Sequence, residues 1–361
     1  MQEEKTLNTT GPQIDRKIGR WLMVLSQIVF LIVVVGGTVR LTGSGLSIPD
    51  WPLINGSLMF PASDADWLAV YRTYHREIAG VEVTRLVEEE EPGIVPIGHF
   101  KKMFAIEYFH RFLAAAFGLL FLFVFIKVVR DGPARRKFGM WMTFAFCLLL
   151  VQAMLGGLVV KTDLEAVLVA VHLGVACVFF AILFWMGLAV LFPAESRPDP
   201  GSRFFYRASV AAGLLVFTQM LSGGMVAGTL AGYHLNTWPL IGDYLVPPVN
   251  LLWSSSYAGP ANLLYNKLLL QFIHRWWAFV AVAAVLYLTV KSLKVTISPR
   301  ARLGMRSLSA LVVLQLILGI FTLIYQVPAG LAVMHQAVGF LLFELLVLLT
   351  YEFRNHGVQA L

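Results

Sequence analysis

The sequence contains few charged residues and almost no cysteine. Only 14% of its 361 residues are Asp, Glu, Lys or Arg, about half the share that is usual in soluble domains. The two cysteines, Cys147 and Cys177, lie in apolar segments, so neither a disulfide framework nor a cysteine metal site is predicted. Hydrophobic residues make up 58% of the chain and form long blocks. These features exclude a soluble globular protein, a disordered chain and a nucleic-acid binder, and they indicate an integral membrane protein.

Eight apolar blocks are long enough to cross a membrane, because a hydrocarbon core about 30 Å thick requires about 20 residues of helix. We therefore predict an all-α fold with eight transmembrane helices. The blocks are 20–40, 104–128, 138–160, 165–191, 205–228, 267–290, 304–326 and 328–351. No small-residue cleavage site follows the first block, which is predicted to be a retained span and not a signal peptide. Acidic residues in the preceding tail argue against a mitochondrial transit peptide.

Lysine and arginine are concentrated in alternate connections between the predicted spans. Of the 28 Lys and Arg residues, 18 lie in the two tails and in the loops 127–137, 192–207 and 291–306. Cytoplasmic loops of membrane proteins carry this excess of positive charge. Both termini are therefore predicted to face the cytoplasm, and the basic residues need no polyanionic partner to explain them.

The chain contains an internal repeat of four spans. Trp51-Pro52-Leu53-Ile54 recurs as Trp238-Pro239-Leu240-Ile241, an offset of 187 residues. Farther along, Glu107–Arg111 matches Gln271–Arg275 at an offset of 164, so the first half has the longer outer loop. Because each half has an even number of spans, both lie the same way up, and we expect two tandem four-helix bundles related by a pseudo-twofold axis along the membrane normal.

The repeat predicts a division of the chain into two halves with short cytoplasmic segments. Glycine pairs such as Gly36-Gly37 and Gly223-Gly224 are interpreted as sites of close helix packing. The predicted segments are a cytoplasmic N-terminal tail (1–19), an N-terminal four-helix half (20–192) with a long outer loop (41–103), a cytoplasmic linker (193–204), a C-terminal four-helix half (205–352) and a cytoplasmic tail (353–361).

Four of the eight histidines lie within spans, and all four are predicted at the same depth. His110 and His172 are in the second and fourth spans, and His274 and His335 are in the sixth and eighth. Two histidines on facing helices of one four-helix unit can supply both axial ligands of a haem iron. The duplicated unit therefore predicts two haem sites near the outer face. The remaining histidines, predicted to be solvated, are His75, His99, His234 and His356.

Charged and amide side chains near these histidines distinguish the two halves. Glu107 lies one helical turn before His110, whereas the matching position carries Gln271. A desolvated carboxylate can act as a base or stabilise a cation, and an amide can only form hydrogen bonds. The asymmetry predicts one reactive site and one electron-transfer or structural site. A carboxylate that merely anchors a neighbour is the alternative.

Three arginines are candidate partners of haem propionates, because guanidinium groups bind carboxylates well. Arg111 and Arg275 directly follow the first histidine of each pair, and Arg40 ends the first span. Snorkelling of these side chains to the membrane interface is the alternative. In the long outer loop, Trp51 and neighbouring aromatic residues are interpreted as a cover over the first site.

The motifs in this order resemble the haem A synthase family over residues 20–350. The matching segments are Gly36–Ser47, Pro49-Asp50-Trp51-Pro52, Glu107–Arg111, Asn236–Leu240, His274-Arg275 and His335-Gln336. Some bacterial members have paired cysteines in the outer loops. This chain has none there and so resembles the subgroup that lacks them.

The resemblance implies a specific reaction and specific roles for the site residues. The family oxidises the ring-D methyl of haem O to a formyl by successive hydroxylations, with water as the expected oxygen source. By resemblance, His110 and His172 would bind the substrate haem O, His274 and His335 a haem b cofactor, and Glu107 would be the catalytic glutamate.

Partners and location follow from the same resemblance. A bacterial inner membrane is expected, with membrane lipid around the chain and with the farnesyltransferase that forms haem O, or cytochrome oxidase assembly factors, as candidate partners. The electron acceptor and the oligomeric state, a homo-oligomer included, stay open. The alternative functions are a two-haem b electron carrier or quinol-linked reductase, and a transporter of haem or a small solute.

Overall fold

Long helices dominate the structure, a computed structural model that describes residues 14–53, 56–193, 200–355 and 358–360. The helices are α1 (Arg16–Leu41), α2 (Asp64–Tyr74), α3 (Ile97–Arg130), α4 (Gly132–Lys161), α5 (Ala166–Leu191), α6 (Pro200–Gly228), α7 (Val249–Leu252), α8 (Asn262–Tyr265), α9 (Lys267–Ser292), α10 (Pro299–Ile324) and α11 (Ala329–Asn355). Two short strands, β1 (Val295–Thr296) and β2 (Gln359–Ala360), pair in antiparallel fashion.

Eight of these helices are long and apolar enough to cross a membrane, within the described ranges. They are α1, α3, α4, α5, α6, α9, α10 and α11, and each coincides with one predicted span. The all-α fold and the eight spans are thereby confirmed. Helix α3 begins at Ile97, well before the apolar block, because Phe100 and Met103 are buried against the outer loop.

Side-chain caps fix the residues at which several spans begin. The carboxylate of Asp131 accepts a hydrogen bond from the Ala134 amide at the start of α4. Ser298 caps α10 in the same way and is followed by Pro299 at the first helical position. Asn266 accepts from two amides in the first turn of α9.

The spans pack as two groups of four. Helix α1 packs against α3 and α5, and α4 joins α3 to α5, which closes the first group. In the second group, α6 and α10 each pack against both α9 and α11. Contacts of α5 with α6 and of α1 with α11 join the groups, and Phe180 of α5 meets Phe340 of α11 at a centroid distance of 4.9 Å. The pseudo-twofold axis stays a prediction.

The outer loop of the first half has a small core of its own. Trp67, Tyr71 and Tyr74 of α2 pack against Phe100 and Phe104, which extend α3 beyond the apolar block. Burial raises the pKa of the Tyr71 phenol, so the group stays protonated and donates a 2.5 Å hydrogen bond to the Val95 carbonyl. This packing anchors the long loop to one side of the first half.

At the opposite end, the connections predicted to be cytoplasmic meet one another. Strand β2, near the C-terminus, pairs with β1 between α9 and α10, and the hydroxyl of Tyr351 donates to the carbonyl of Phe192. Helix α6 begins inside the predicted linker 193–204, and α11 ends at Asn355, inside the predicted tail 353–361. Residues 1–13 and 194–199 of the predicted tail and linker lie outside the described ranges.

Candidate functional site

The four span histidines lie two in each group of helices. In the first group, His110 on α3 and His172 on α5 hold the matching positions, each against a glycine of a neighbouring helix. In the second group, the ring centroids of His274 on α9 and His335 on α11 are 6.4 Å apart, and the ring planes are inclined by 76°. The structure therefore brings the rings of His274 and His335 together, and the pairing of His110 with His172 stays a prediction.

The distance between His274 and His335 fits the axial ligands of one haem iron. Metal–nitrogen bonds of about 2 Å, with about 1.2 Å from each nitrogen to its ring centre, place two such imidazoles about 6.4 Å apart. Within the described part of the chain, no group of three or more His, Cys, Asp or Glu forms a metal site. Two protein ligands suffice for a haem, because the porphyrin supplies the equatorial nitrogens.

Each histidine ring lies against a glycine of a neighbouring helix. A Cβ atom built on Gly36 of α1 would lie 3.0 Å from the His110 ring, and one on Gly223 of α6 would lie 3.1 Å from the His274 ring. The corresponding distances are 3.6 Å for Gly156 and His172 and 2.8 Å for Gly319 and His335. In each half, the first and third spans provide a glycine and the second and fourth provide a histidine.

The role of these glycines was missed by sequence reasoning, which assigned Gly36, Gly156 and Gly223 to helix packing and gave Gly319 no role. The signal was present, because Gly36 and Gly223 match at the offset of 187 and Gly156 and Gly319 match at 163. The second glycine of two pairs does serve helix contact. Gly37 lies against Gln336 of α11, and Gly224 against Ala170 of α5.

The imidazole nitrogens of the four histidines differ in their partners. The Nδ1 atoms of His110, His172 and His335 are buried, and no described residue forms a hydrogen bond with them. The Nδ1 atom of His274 lies 2.8 Å from the hydroxyl oxygen of Ser222 on α6. The amide nitrogen of Gln219, one turn earlier on α6, lies 3.1 Å from the same atom.

Glu107 is buried and holds the start of the outer loop against α3. One carboxylate oxygen accepts hydrogen bonds from the Ser47 hydroxyl (2.8 Å) and the Ile48 amide (3.0 Å). The other accepts from Arg111 at 2.5 Å. Arg111 also donates to the backbone carbonyls of Ile48 and Asp50, each at 2.5 Å.

Gln271 and Arg275 hold the matching loop of the second half with the opposite polarity. The amide nitrogen of Gln271 donates to the carbonyls of Ala231 (2.5 Å) and His234, and its oxygen accepts from Arg275. Arg275 donates to three more carbonyls, those of Leu235, Thr237 and Leu240. The residue three before the histidine thus anchors a loop in both halves, and only Glu107 brings a charge.

Arg40 is placed differently from the other two arginines. It donates a 2.9 Å hydrogen bond to the Gly228 carbonyl at the end of α6, across the boundary between the halves. Its Nε atom is buried and has no hydrogen-bond partner among the described residues. Arg40 therefore retains a buried donor, whereas Arg111 and Arg275 direct their terminal nitrogens at loop carbonyls.

The predicted aromatic cover is only partly near the first site. Trp51 lies against Gly157 of α4, the residue after the glycine that faces His172. Trp67, Tyr71 and Tyr74 instead surround the outer end of α3. Trp238, the repeat partner of Trp51, stacks on Phe279 of α9 at a centroid distance of 6.0 Å.

The prediction that the loop histidines are solvated is wrong for His75. This side chain is fully buried, with Nδ1 2.9 Å from the Tyr71 carbonyl and Nε2 accepting from the Val95 amide at 3.0 Å. The His75 ring connects α2 to the segment before α3, because α2 and the helical turn His75–Ala79 that follows it pack over that segment. His99 and His234 are exposed, as predicted, and His356 lies outside the described residues.

Comparisons with known proteins match this chain over nearly its whole length. Residues 19–347 match the model of a family described as cytochrome oxidase assembly protein. A protein named Heme A synthase from Nitrosospira multiformis is 34% identical over 349 residues, which are 95% of each chain. One of the same name from Rhizorhabdus wittichii is 34% identical over 95% of this chain and 94% of its own. A third, from Flavobacterium johnsoniae, is 32% identical over 89% and 93%.

Proposed function

Because this chain belongs to the family of cytochrome oxidase assembly proteins, and the curated relatives it matches are named Heme A synthase, we propose the following reaction. The protein is a haem A synthase that oxidises the ring-D methyl of haem O to a formyl group. Two successive hydroxylations, with water as the oxygen source, give a geminal diol that loses one water to form the formyl group, so the enzyme is an oxidoreductase. The reaction removes electrons and protons from the substrate, so an electron acceptor is required.

The observation that carries this proposal is a matched pair of histidine sites with a carboxylate beside only one of them. Both halves share the two histidines, the glycines against their rings and the anchored loop. They differ at Glu107 and Gln271. A carrier with two equivalent haems would not need this difference, whereas an enzyme needs one site for chemistry and one for electron transfer.

The C-terminal half is assigned to the cofactor and the N-terminal half to the substrate. His274 and His335 would hold haem b, which supplies electron transfer away from the substrate when it is bound. His110 and His172 would orient haem O, with Gly36 and Gly156 leaving room for their rings. The Ser222 contact at His274, without a counterpart at His110, agrees with a more firmly held group in the C-terminal half.

Glu107 is assigned to electrostatic stabilisation of the reacting carbon. Both of its oxygens already accept hydrogen bonds, which fixes the carboxylate in place one turn from His110. The carboxylate offsets the charge of Arg111, whereas Arg275 in the second half lies beside the neutral Gln271. A cation that develops near His110 is therefore opposed less than one near His274. This arrangement supports charge stabilisation more directly than proton abstraction, because neither oxygen is without a donor.

Arg40 is the arginine best placed to bind a haem propionate, because its buried Nε has no described partner. Arg111 and Arg275 would act mainly on the loops, through the carbonyls to which they donate. We further place the protein in a bacterial inner membrane with both termini cytoplasmic and the histidine sites near the outer face. Membrane lipid, the haem O-forming farnesyltransferase and oxidase assembly factors are its proposed partners.

Extraction and chromatography of the pigments tests the function directly. The purified protein, and the same protein produced together with a haem O source, are extracted and their haems separated. Haem b together with haem O, a hydroxylated intermediate or haem A is expected. Two haem b groups per chain, unchanged when haem O is supplied, would instead identify an electron carrier and overturn the proposal.

A further inference from the structure

The hydroxyl of Ser222 is placed to fix the orientation of the His274 ring. Its oxygen lies 2.8 Å from the carbonyl oxygen of Gln219, so the hydroxyl donates there, back along its own helix. The same oxygen is 2.8 Å from Nδ1 of His274 and can then only accept. A proton on Nδ1 completes this hydrogen bond and leaves Nε2 with a free lone pair, while the nearby amide nitrogen of Gln219 donates to the His274 carbonyl.

Gln219 holds the same histidine from a second direction. Its amide nitrogen donates to the backbone carbonyl of His274 at 3.0 Å and lies 3.1 Å from Nδ1 and 3.4 Å from Nε2. Gly223 lies one residue after Ser222, and its missing side chain lets the ring approach α6 this closely. Three nearby positions on α6 therefore define where this imidazole lies and which nitrogen it offers.

The N-terminal half lacks both polar groups at the matching positions. With the offset of 187 that pairs Gly36 with Gly223, Ser222 corresponds to Val35 and Gln219 to Ile32. The His110 ring lies against Gly36 as His274 lies against Gly223, yet its Nδ1 is buried without a described partner. The two halves thus share the space for the ring but not the hydrogen bond that fixes it.

We propose that Ser222 and Gln219 are positioning residues that fix His274 for permanent haem ligation, and that Val35 and Ile32 leave His110 free for an exchangeable haem. A histidine whose second nitrogen donates a hydrogen bond is oriented for the metal and is a stronger ligand. Rigid ligation suits a cofactor that stays through many turnovers. Looser ligation suits a substrate that must arrive as haem O and leave as haem A. This inference rests on the proposed assignment of the halves.

The test measures haem in the C-terminal half alone. The variants are prepared in a His110→Ala background and in cells that make no haem O, so that the remaining haem is haem b on His274 and His335. Ser222→Ala removes the hydroxyl, and Ser222→Thr keeps it, because a threonine hydroxyl also bonds to the carbonyl one turn back in a helix. The measurements are the rate of haem transfer to apomyoglobin, the midpoint potential and the electron paramagnetic resonance spectrum.

We expect Ser222→Ala to lose haem about 10- to 100-fold faster, as for other groups that support a metal ligand. Its midpoint potential should rise, because a less basic imidazole stabilises the ferric state less, and its resonance spectrum should show altered ring orientation. Ser222→Thr should restore all three. Equal behaviour of the alanine variant, the threonine variant and the unchanged protein would overturn the proposal.

A reciprocal variant tests the claim about His110. Val35→Ser, made in a His274→Ala background, should give Nδ1 of His110 a partner and slow the loss of haem from the N-terminal half. An unchanged rate would overturn this part. None of these measurements requires haem A to be formed. If Ser222→Ala changes haem loss, potential and spectrum as expected but the unchanged protein makes no haem A, the proposed function is wrong and the positioning role stands. If the unchanged protein makes haem A but Ser222→Ala changes none of the three, the positioning role is wrong and the function stands.

Discussion

Arg111 and Glu107 form a buried ion pair one helical turn apart, with 2.5 Å between the guanidinium nitrogen and the carboxylate oxygen. Both side chains also bond to the loop that follows α1, through Ser47, Ile48 and Asp50. The matching residues of the second half, Gln271 and Arg275, bond to their loop as well. A role in anchoring is therefore common to the two halves, and the charge of Glu107 is what remains to be explained.

Glu107→Gln tests the charge of Glu107, and its anchoring bonds need a separate control. The amide carries no charge and has one acceptor oxygen, so it can keep the hydrogen bonds from Ser47 and Ile48 or the one from Arg111, but not both. We expect both haem sites to stay occupied and the formation of haem A to fall to background, because charge stabilisation at the reacting carbon is lost. Haem content by pyridine haemochrome and haem type by chromatography measure the two effects separately.

Ser47→Ala is the matched control for that experiment. It removes one anchoring hydrogen bond to Glu107 and keeps the carboxylate, so haem A formation should decrease only modestly. If Glu107→Gln makes haem A at the normal rate, the asymmetry between the halves does not mark the chemistry. If the two variants are equally inactive, Glu107 acts through the loop.

The two histidine pairs should affect different pigments. His274→Ala or His335→Ala should lower haem b content, because a single axial imidazole is left in the C-terminal half. His110→Ala or His172→Ala should leave that haem b in place and abolish binding of haem O. Chromatography of extracted haem after incubation with haem O distinguishes the two outcomes. His99→Ala, a change at an exposed histidine outside the spans, is the control and should alter neither.

Much of this arrangement was predictable because membrane burial leaves a strong pattern in the sequence. The eight spans follow from the length of the apolar blocks, and the pairing of His274 with His335 follows from depth and repeat spacing. The contact of Gly319 with His335 was not predicted, because helical spacing alone does not give the rotation of one span against the next. That rotation is set by packing between helices.

Contacts between segments that are far apart in the chain also could not be predicted from the sequence. His75 was expected in solvent, yet its ring joins the Tyr71 carbonyl to the Val95 amide, two groups separated by the turn after α2. Glu344 of α11 likewise accepts a 2.7 Å hydrogen bond from Gln27 of α1, a residue far from it in the sequence. Such pairs have no local periodicity, because they join segments that are far apart in the sequence.

The ion pair between Arg300 and Glu352 should stabilise the end of the second half at which β1 and β2 pair. The Glu352 carboxylate is buried and accepts from Arg300 at 2.9 Å and from the Ser298 hydroxyl at 2.6 Å. The guanidinium of Arg300 also lies 4.0 Å from the ring centroid of Phe192, so the pair connects the two halves. Arg300→Ala should lower the free energy of unfolding in detergent by about 1–3 kcal/mol, less than for a fully buried pair because Arg300 is partly exposed.

An exposed ion pair of similar length provides the comparison. Arg85 and Glu91 lie 2.8 Å apart in the outer loop, where Arg85 is largely open to solvent and Glu91 is partly exposed. Arg85→Ala should cost below about 1 kcal/mol, because water and salt screen such pairs. Equal losses of thermal stability in Arg85→Ala and Arg300→Ala would show that burial of Glu352 contributes nothing.

Alanine substitutions at the four ring-facing glycines should give a graded loss of haem. A Cβ at Gly319 would lie 2.8 Å from the His335 ring, and one at Gly223 or Gly36 would lie 3.1 or 3.0 Å from His274 or His110. At Gly156 the distance is 3.6 Å, an ordinary contact. Overpacking of this kind costs about 1–3 kcal/mol and displaces the ring from its place.

The expected order of haem loss is therefore Gly319→Ala first, Gly223→Ala and Gly36→Ala next, and Gly156→Ala least. The Gly319 and Gly223 variants should lose haem b, and the Gly36 variant should lose affinity for haem O. Gly118→Ala on α3 is the control, because nothing described lies within 4 Å of its added Cβ. Haem content per chain measures the series. If the Gly319→Ala variant binds as much haem b as the Gly118→Ala variant, the His335 ring has room to move and the glycines serve helix packing alone.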